Sequence, residues 1–244
     1  MDKNSAVVVH YNPHLNNQTL YRDYLVSGFE KLCYKVTSTT DKNAEGDVHV
    51  CIGPHYAFDE CLGKPTIYID RCLWGDDLDA VSIGWVGKNE GMVYPKNSDD
   101  KRPKPELLPW VDNDESRAIV LCDYGEWADI YNIAKKHYGD VTLRHHPSTG
   151  GAQPTLSMHL HGHGVAIGGR TSALVEAAIR GYPVITYDDR SPVIDISGRD
   201  IIDIVKPDRA QWLNNLSYAQ WRGEEIKNGE ALKYVIANND TPTG

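Results

Sequence analysis

The chain alternates short unbroken apolar runs with stretches in which apolar residues recur every three to four positions. The first run, AVVV at 6–9, does not alternate and is too short for a buried helix, so it reads as a strand covered on both faces. Leu20, Tyr21, Tyr24, Leu25, Gly28, Phe29 and Leu32 then keep helical spacing, and a β-like run follows at 34–37. Residues 48–52 and 65–70 are further strands, and 81–86 is another, expected at a sheet edge. The opening is therefore β-loop-α-β, the order that builds a parallel sheet with helices over it.

The second half repeats this order. AIVLC at 118–122 is a buried strand; Trp127, Ile130, Tyr131, Ala134 and Tyr138 mark a helix closed by Gly139; residues 141–143 are the next strand. Val165, Ala166 and Ile167 form another, stopped by Gly168 and Gly169. From Thr171 the period changes to a helix with a stripe of mostly small residues, Ala173, Leu174, Ala177 and Ala178. Thr171 and Ser172 cap its first turn, and Gly181 with Pro183 closes it before a strand at 184–187. Between the halves, residues 87–113 carry Pro95, Pro103, Pro105 and Pro109 with little periodicity and read as a linker. Apolar positions from Trp212 to Ile236 suggest two terminal helices. The pattern predicts an α/β protein of two Rossmann-like half-domains facing a cleft, residues 1–110 and 111–244, with helices at the carboxyl terminus.

Composition leaves this picture standing. With 41% hydrophobic and 24% charged residues in 244, the chain is an ordinary globular one, and it holds no apolar run long enough to span a membrane. The start is polar and the first apolar run short, so no secretion signal is expected; five cysteines without a CxxC suit a reducing cytoplasm. The net charge of −9 argues against a large nucleic-acid footprint, with Lys96, Lys101, Arg102 and Lys104 as the local exception.

Candidate chemistry follows from where polar residues leave the strands. In open α/β sheets ligands sit beyond the carboxyl ends of strands, which selects His14, His55, Asp70 and Arg71 in the first half. In the second half, Arg144-His145-His146-Pro147 leaves one strand, and Gly169-Arg170-Thr171-Ser172 leaves another to open a helix. A helix start with free N–H groups and a nearby guanidinium suits an anion, and phosphate is the expected one. Glu176, one turn into that helix, can accept hydrogen bonds from a ribose diol or simply favour the helix dipole. His159, His161 and His163 alternate in MHLHGHG and would share a face only on a strand; with no clear fourth ligand, no metal is expected there.

Taken together, R-x-H-P, a strand and G-G-R-T-S-x-x-x-E-A-x-x-x-G-x-P-V-I resemble the donor-binding half of two-Rossmann (GT-B) glycosyltransferases, including the capsule-polymer and glycerophosphotransferase branches, over residues 141–191. The resemblance implies that Arg144, His146, Gly169, Arg170, Thr171 and Ser172 hold the donor phosphates and that Glu176 holds the ribose. It implies a nucleotide-sugar co-substrate, a UDP-sugar, and no other cofactor. The segment 212–229 (WLNNLSYAQWR-x-x-E-I-x-x-G) also resembles tails of phage-encoded proteins with such a domain, which would make the acceptor a hydroxymethylated base in DNA, with a polysaccharide as the other option. The catalytic base is then sought among His14, His55 and Asp70. Two other functions use the same features: a nucleotide-sugar epimerase, and a non-catalytic nucleotide- or glycan-binding module.

Overall fold

The computed structural model describes residues 1–53, 58–75, 79–123, 127–147, 149 and 153–238. The chain forms two units, Met1–Ser98 with Asn215–Gly244, and Asp99–Asn214. Both are α/β bodies built on parallel strands, the arrangement expected from the alternation of apolar runs and helical stretches.

Unit 1 opens with β1 (Ala6–His10), α1 (Asn16–Lys31), β2 (Lys35–Thr39), β3 (Val48–Ile52), the single turn α2 (Phe58–Cys61), β4 (Thr66–Arg71) and β5 (Ala80–Trp85). Strands β2, β1, β3 and β4 are parallel, and β5 turns back antiparallel to β4. Val7, Val9, Val50, Ile67 and Ile69 pack with Tyr21, Leu25 and Phe29 of α1 in one apolar cluster, which is why the period of the first helix was so plain.

Unit 2 contains β6 (Arg117–Leu121), α3 (Trp127–His137), β7 (Asp140–Arg144), α4 (Leu156–Leu160), β8 (Val165–Gly168), α5 (Ser172–Ile179) and β9 (Val184–Thr186). Its sheet is all parallel in the order β7-β6-β8-β9. Ala118, Val120, Val165, Ile167 and Ile185 build its core with Ala134 of α3 and Tyr138 just past its end. After α5 the chain turns at Gly181, whose φ of 87° belongs to glycine and whose amide closes back on Ala178.

Helix α6 (Ala210–Ser217) carries the chain out of unit 2, and β10 (Gln220–Arg222), α7 (Gly223–Lys227) and α8 (Glu230–Ala237) complete unit 1. β10 adds antiparallel to β5, so β5 is an interior strand and not the expected edge. The expected division at residue 110 is corrected in two ways. The boundary falls at Ser98, because Leu108 and Val111 already hydrogen-bond to Ile179 and Gly181 of unit 2, and everything from Asn215 belongs to unit 1, where Trp221, Ile226 and Leu232 enter its core. Among the described residues no helix is long and apolar enough to cross a membrane.

Candidate functional site

In unit 2 the chain leaves β6 outward to β7 and then returns past β6 to β8, so strand order reverses between β6 and β8. The loops leaving the carboxyl ends of these two strands diverge there, and such a crevice is where open α/β sheets bind ligands. Cys122-Asp123 leaves β6, and Gly169-Arg170-Thr171 leaves β8 to open α5.

The turn after β8 is held from several sides. Thr186 Oγ1 and Ser191 Oγ donate to the Gly169 carbonyl at 3.3 and 3.0 Å, and the Arg170 amide donates to Asp123 Oδ2 at 3.1 Å. A Cβ on Gly169 would stand 2.5 Å from that same carboxylate oxygen, so glycine is what lets Asp123 approach. Thr171 is buried and caps α5, its hydroxyl accepting from the Ala173 amide at 3.3 Å, while Arg170 and Ser172 are exposed. The helix start thus already receives one carboxylate, from Asp123, on the outer amide of the turn.

Arg144, the last residue of β7, donates to the Pro154 carbonyl at 2.8 Å and lies 2.7 Å from His159 Nδ1. A guanidinium can only donate, so His159 accepts at Nδ1 and is neutral. Burial and the Arg144 charge push the His159 pKa below its ordinary value in the same sense. Burial also lowers Arg144, and the Glu176 charge opposes it. Glu176 itself takes Nε and Nη2 of Arg180 on one oxygen, Oε1, at 3.0 and 2.8 Å. His146 is half-buried, and its carbonyl accepts from the Thr149 amide at 2.9 Å. Beyond β9, burial works to raise the Asp188 carboxyl, but hydrogen bonds from Arg190 and the charges of Arg190 and Arg170 outweigh it and hold the group below the usual carboxylate range.

The structure therefore places Gly169, Arg170, Thr171 and Ser172 in one turn, and pairs Arg144 with His159 and Glu176 with Arg180. It adds Asp123, Asp188 and Arg190, which the sequence reading missed, and sets His159 of the histidine run beside Arg144. Asp123 carried a signal, an acid one residue past the buried run AIVLC; the others depend on loops whose path no periodicity reveals. The histidine run is not a strand: His159 lies in α4, His161 caps its end, and His163 is buried 2.9 Å from the Thr142 hydroxyl. Thr155 caps α4 by accepting from Met158, and this local helix start scatters the three rings.

In unit 1, His14 is exposed in the loop after β1, its amide donating to Asn12 Oδ1 at 3.0 Å. Asp70 sits near the end of β4, its carboxylate accepting from the Tyr68 hydroxyl at 2.9 Å and the Arg71 amide at 2.7 Å. Because β1 and β4 run parallel through β3, both stand at the carboxyl edge of the sheet. His55 lies outside the described residues.

No family model and no curated protein match the sequence. Among solved structures the chain is similar to the Thermosulfurimonas dismutans KpsC beta Kdo 2,7 transferase, at a TM-score of 0.50 and 8% identity over 93% of this chain and 99% of that one. At that identity the likeness shows the fold alone, a two-unit Rossmann-like, glycosyltransferase-like α/β fold. A carbohydrate transporter from Acidothermus cellulolyticus, at 14% identity over 98% of this chain and 88% of that one, has a TM-score of 0.26, too low for a shared fold.

Proposed function

We propose that the chain is a glycosyltransferase that moves a sugar from a nucleotide-sugar to an acceptor hydroxyl, with the donor held by unit 2. The observation that carries this reading is the reversal of strand order between β6 and β8, where Gly169, Arg170, Thr171 and Ser172 open α5, with Arg144 at the end of β7 on the other side of β6. A nucleoside diphosphate fits this chemistry: the amides at the helix start and the guanidiniums of Arg144 and Arg170 neutralise charge that grows on the leaving phosphates. Glu176 spends one oxygen on Arg180, which leaves Oε2 to accept from a ribose. Asp123 must then release the Arg170 amide to a phosphate or keep it and steer the diphosphate toward Arg144. The similarity to a protein named as a sugar transferase supports a transferase over an epimerase or a mere binding module. The base that deprotonates the acceptor is drawn from His14, His55 and Asp70.

For the acceptor, the net charge of −9 favours a glycan hydroxyl over DNA. The basic cluster that argued otherwise is partly neutralised, since Lys101 pairs with Asp99. UDP is the nucleoside diphosphate to try first.

Calorimetric titration of UDP and of inorganic pyrophosphate into wild type, Arg144→Ala and Glu176→Ala tests the donor site. Losing a charge-assisted phosphate contact in Arg144→Ala should weaken both ligands by about 1.5 to 3 kcal/mol. Glu176→Ala should cost UDP about 1 to 3 kcal/mol and leave pyrophosphate, which has no ribose, unchanged. Equal losses for the two ligands in Glu176→Ala would remove the ribose assignment, and unchanged affinity in Arg144→Ala would remove the donor site.

A further inference from the structure

The two faces of the unit 1 sheet differ in chemistry. Side chains alternate along a strand, so Val7 and Val9 face the α1 core while Val8 and His10 face the other way. In the parallel register His49 stands beside Val8 and Cys51 beside His10, so both share that second face. Helix α2 packs against β3 and ends in Cys61. The result is a cluster of two imidazoles and two thiols in a place an apolar face would serve more cheaply: His10, His49, Cys51 and Cys61 are each at most 1% exposed.

A nitrogen of His10, a nitrogen of His49 and Cys61 Sγ all lie within 4.8 Å of one another. The imidazoles are nearly parallel, with His10 Nε2 3.0 Å from His49 Nδ1. Cys51, beside His10 on the same face of the sheet, lies outside this group of three. Hydrogen bonds among these groups do not satisfy the cluster, for His10 Nδ1 is buried with no partner among the described residues. Outside the cluster, the Gly46 carbonyl accepts from the His49 imidazole, the kind of outer contact that orients a metal-bound histidine.

We propose that His10, His49 and Cys61 form a zinc site inside unit 1. Tetrahedral zinc with bonds of about 2.0 to 2.3 Å places its donor atoms about 3.3 to 3.8 Å apart. Small rotations that turn a nitrogen of each imidazole and Cys61 Sγ toward one point would reach that spacing. Imidazole and thiolate together suit zinc over magnesium or calcium. Binding releases the Cys61 thiol proton and uses both imidazoles in their neutral form. What it ties down is α2, a single turn too short to persist alone, fastened to β1 and β3. From the sequence no metal is expected in the chain, and only the histidine run at 159–163 is weighed; this cluster escapes that reading because its ligands come from three separate segments.

The test uses the full chain, reduced and stripped with a chelator, then titrated with zinc and separately with cobalt as a spectroscopic probe. The expected result is one zinc per chain with a rise in melting temperature, and a thiolate-to-cobalt charge-transfer band. Cys61→Ser should lose that band and at least tenfold in zinc affinity, with its metal-free circular dichroism unchanged, while Cys33→Ser keeps both. Failure of the reduced wild-type chain to bind zinc overturns the proposal, as does a Cys61→Ser chain that binds zinc as wild type does. Should Cys61→Ser fail to fold, the wild-type titration and its cobalt band still decide.

Discussion

His163 is 5% exposed, with Nε2 2.9 Å from the Thr142 hydroxyl and its carbonyl taken by Asn113. Burial pushes its pKa below the ordinary value of about 6.5, and the Arg117 charge works in the same direction. The sign of the stability effect follows. As pH falls past about 6.5 the unfolded chain takes up a proton that the folded chain still refuses, so stability present above that pH is lost as pH drops toward the folded value. Urea denaturation at about pH 7.5 and about pH 5.5 should show the loss, and His163→Gln should reduce it. His159 is depressed as well, so the loss should shrink and not vanish; an identical loss in the variant would refute the assignment. This residue also shows what was hidden in the sequence. Its place in MHLHGHG made it a candidate metal ligand, whereas its role comes from Thr142, 21 positions away. The ion pair of Glu176 with Arg180, by contrast, is an i,i+4 pair and stands in the sequence for anyone who looks at helix spacing.

At the scale of elements, the runs buried on both faces were the most legible, since β1, β3 and β8 have no alternation to misread and their bounds fall within a residue of the apolar runs. Helix α1 was legible because one face carries large apolar residues at helical spacing. β10 was not: three residues, QWR, have no period, and the strand exists only because β5 offers an edge to pair with. The small residue in the α1 stripe now gains a reason. A Cβ on Gly28 would overlap the Ile226 carbonyl oxygen of α7 and stand 2.8 Å from Leu232 Cδ1 of α8, so glycine lets the returning chain lie against α1. Gly28→Ala removes a flexible residue from a helix, which alone would stabilise by up to about 1 kcal/mol. Contact with a backbone carbonyl cannot be relieved by a rotamer change, so overpacking should prevail and destabilise unit 1 by about 1 to 3 kcal/mol. A rise in the urea midpoint would show that α7 moves aside at no cost.

At the scale of the molecule the two units differ in how they are made. Unit 2 is one continuous segment, and its entry and exit are fastened within it: Arg209 donates to the Ala178 and Leu108 carbonyls and stacks 3.7 Å over Trp110. Unit 1 is two segments, and the second brings Trp221, Ile226, Leu232 and Val235 into its core. Periodicity shows that the terminal helices have an apolar face and leads to the expectation that the last packs back across the domain boundary. A face does not name the surface that covers it, so the sequence counts them with the second half. Each of those four side chains contributes about 1.5 to 3 kcal/mol by burial, a sum comparable with the whole stability of a domain. A fragment of residues 1–214 should therefore lose unit 1 and keep unit 2. Hydrogen exchange read by mass spectrometry should find β1 and β3 unprotected while β6 and β8 stay protected; protection of β1 and β3 at the full-length level would refute the two-segment account. The complementary fragment, residues 99–214, should fold alone and bind UDP within about threefold of the full chain, because the proposed donor groups from Asp123 to Arg190 all lie in it. If this fragment folds, with native circular dichroism and exchange protection, but fails to bind UDP that the full chain binds, the donor site is not confined to unit 2 and the assignment of phosphates to the start of α5 has to be given up.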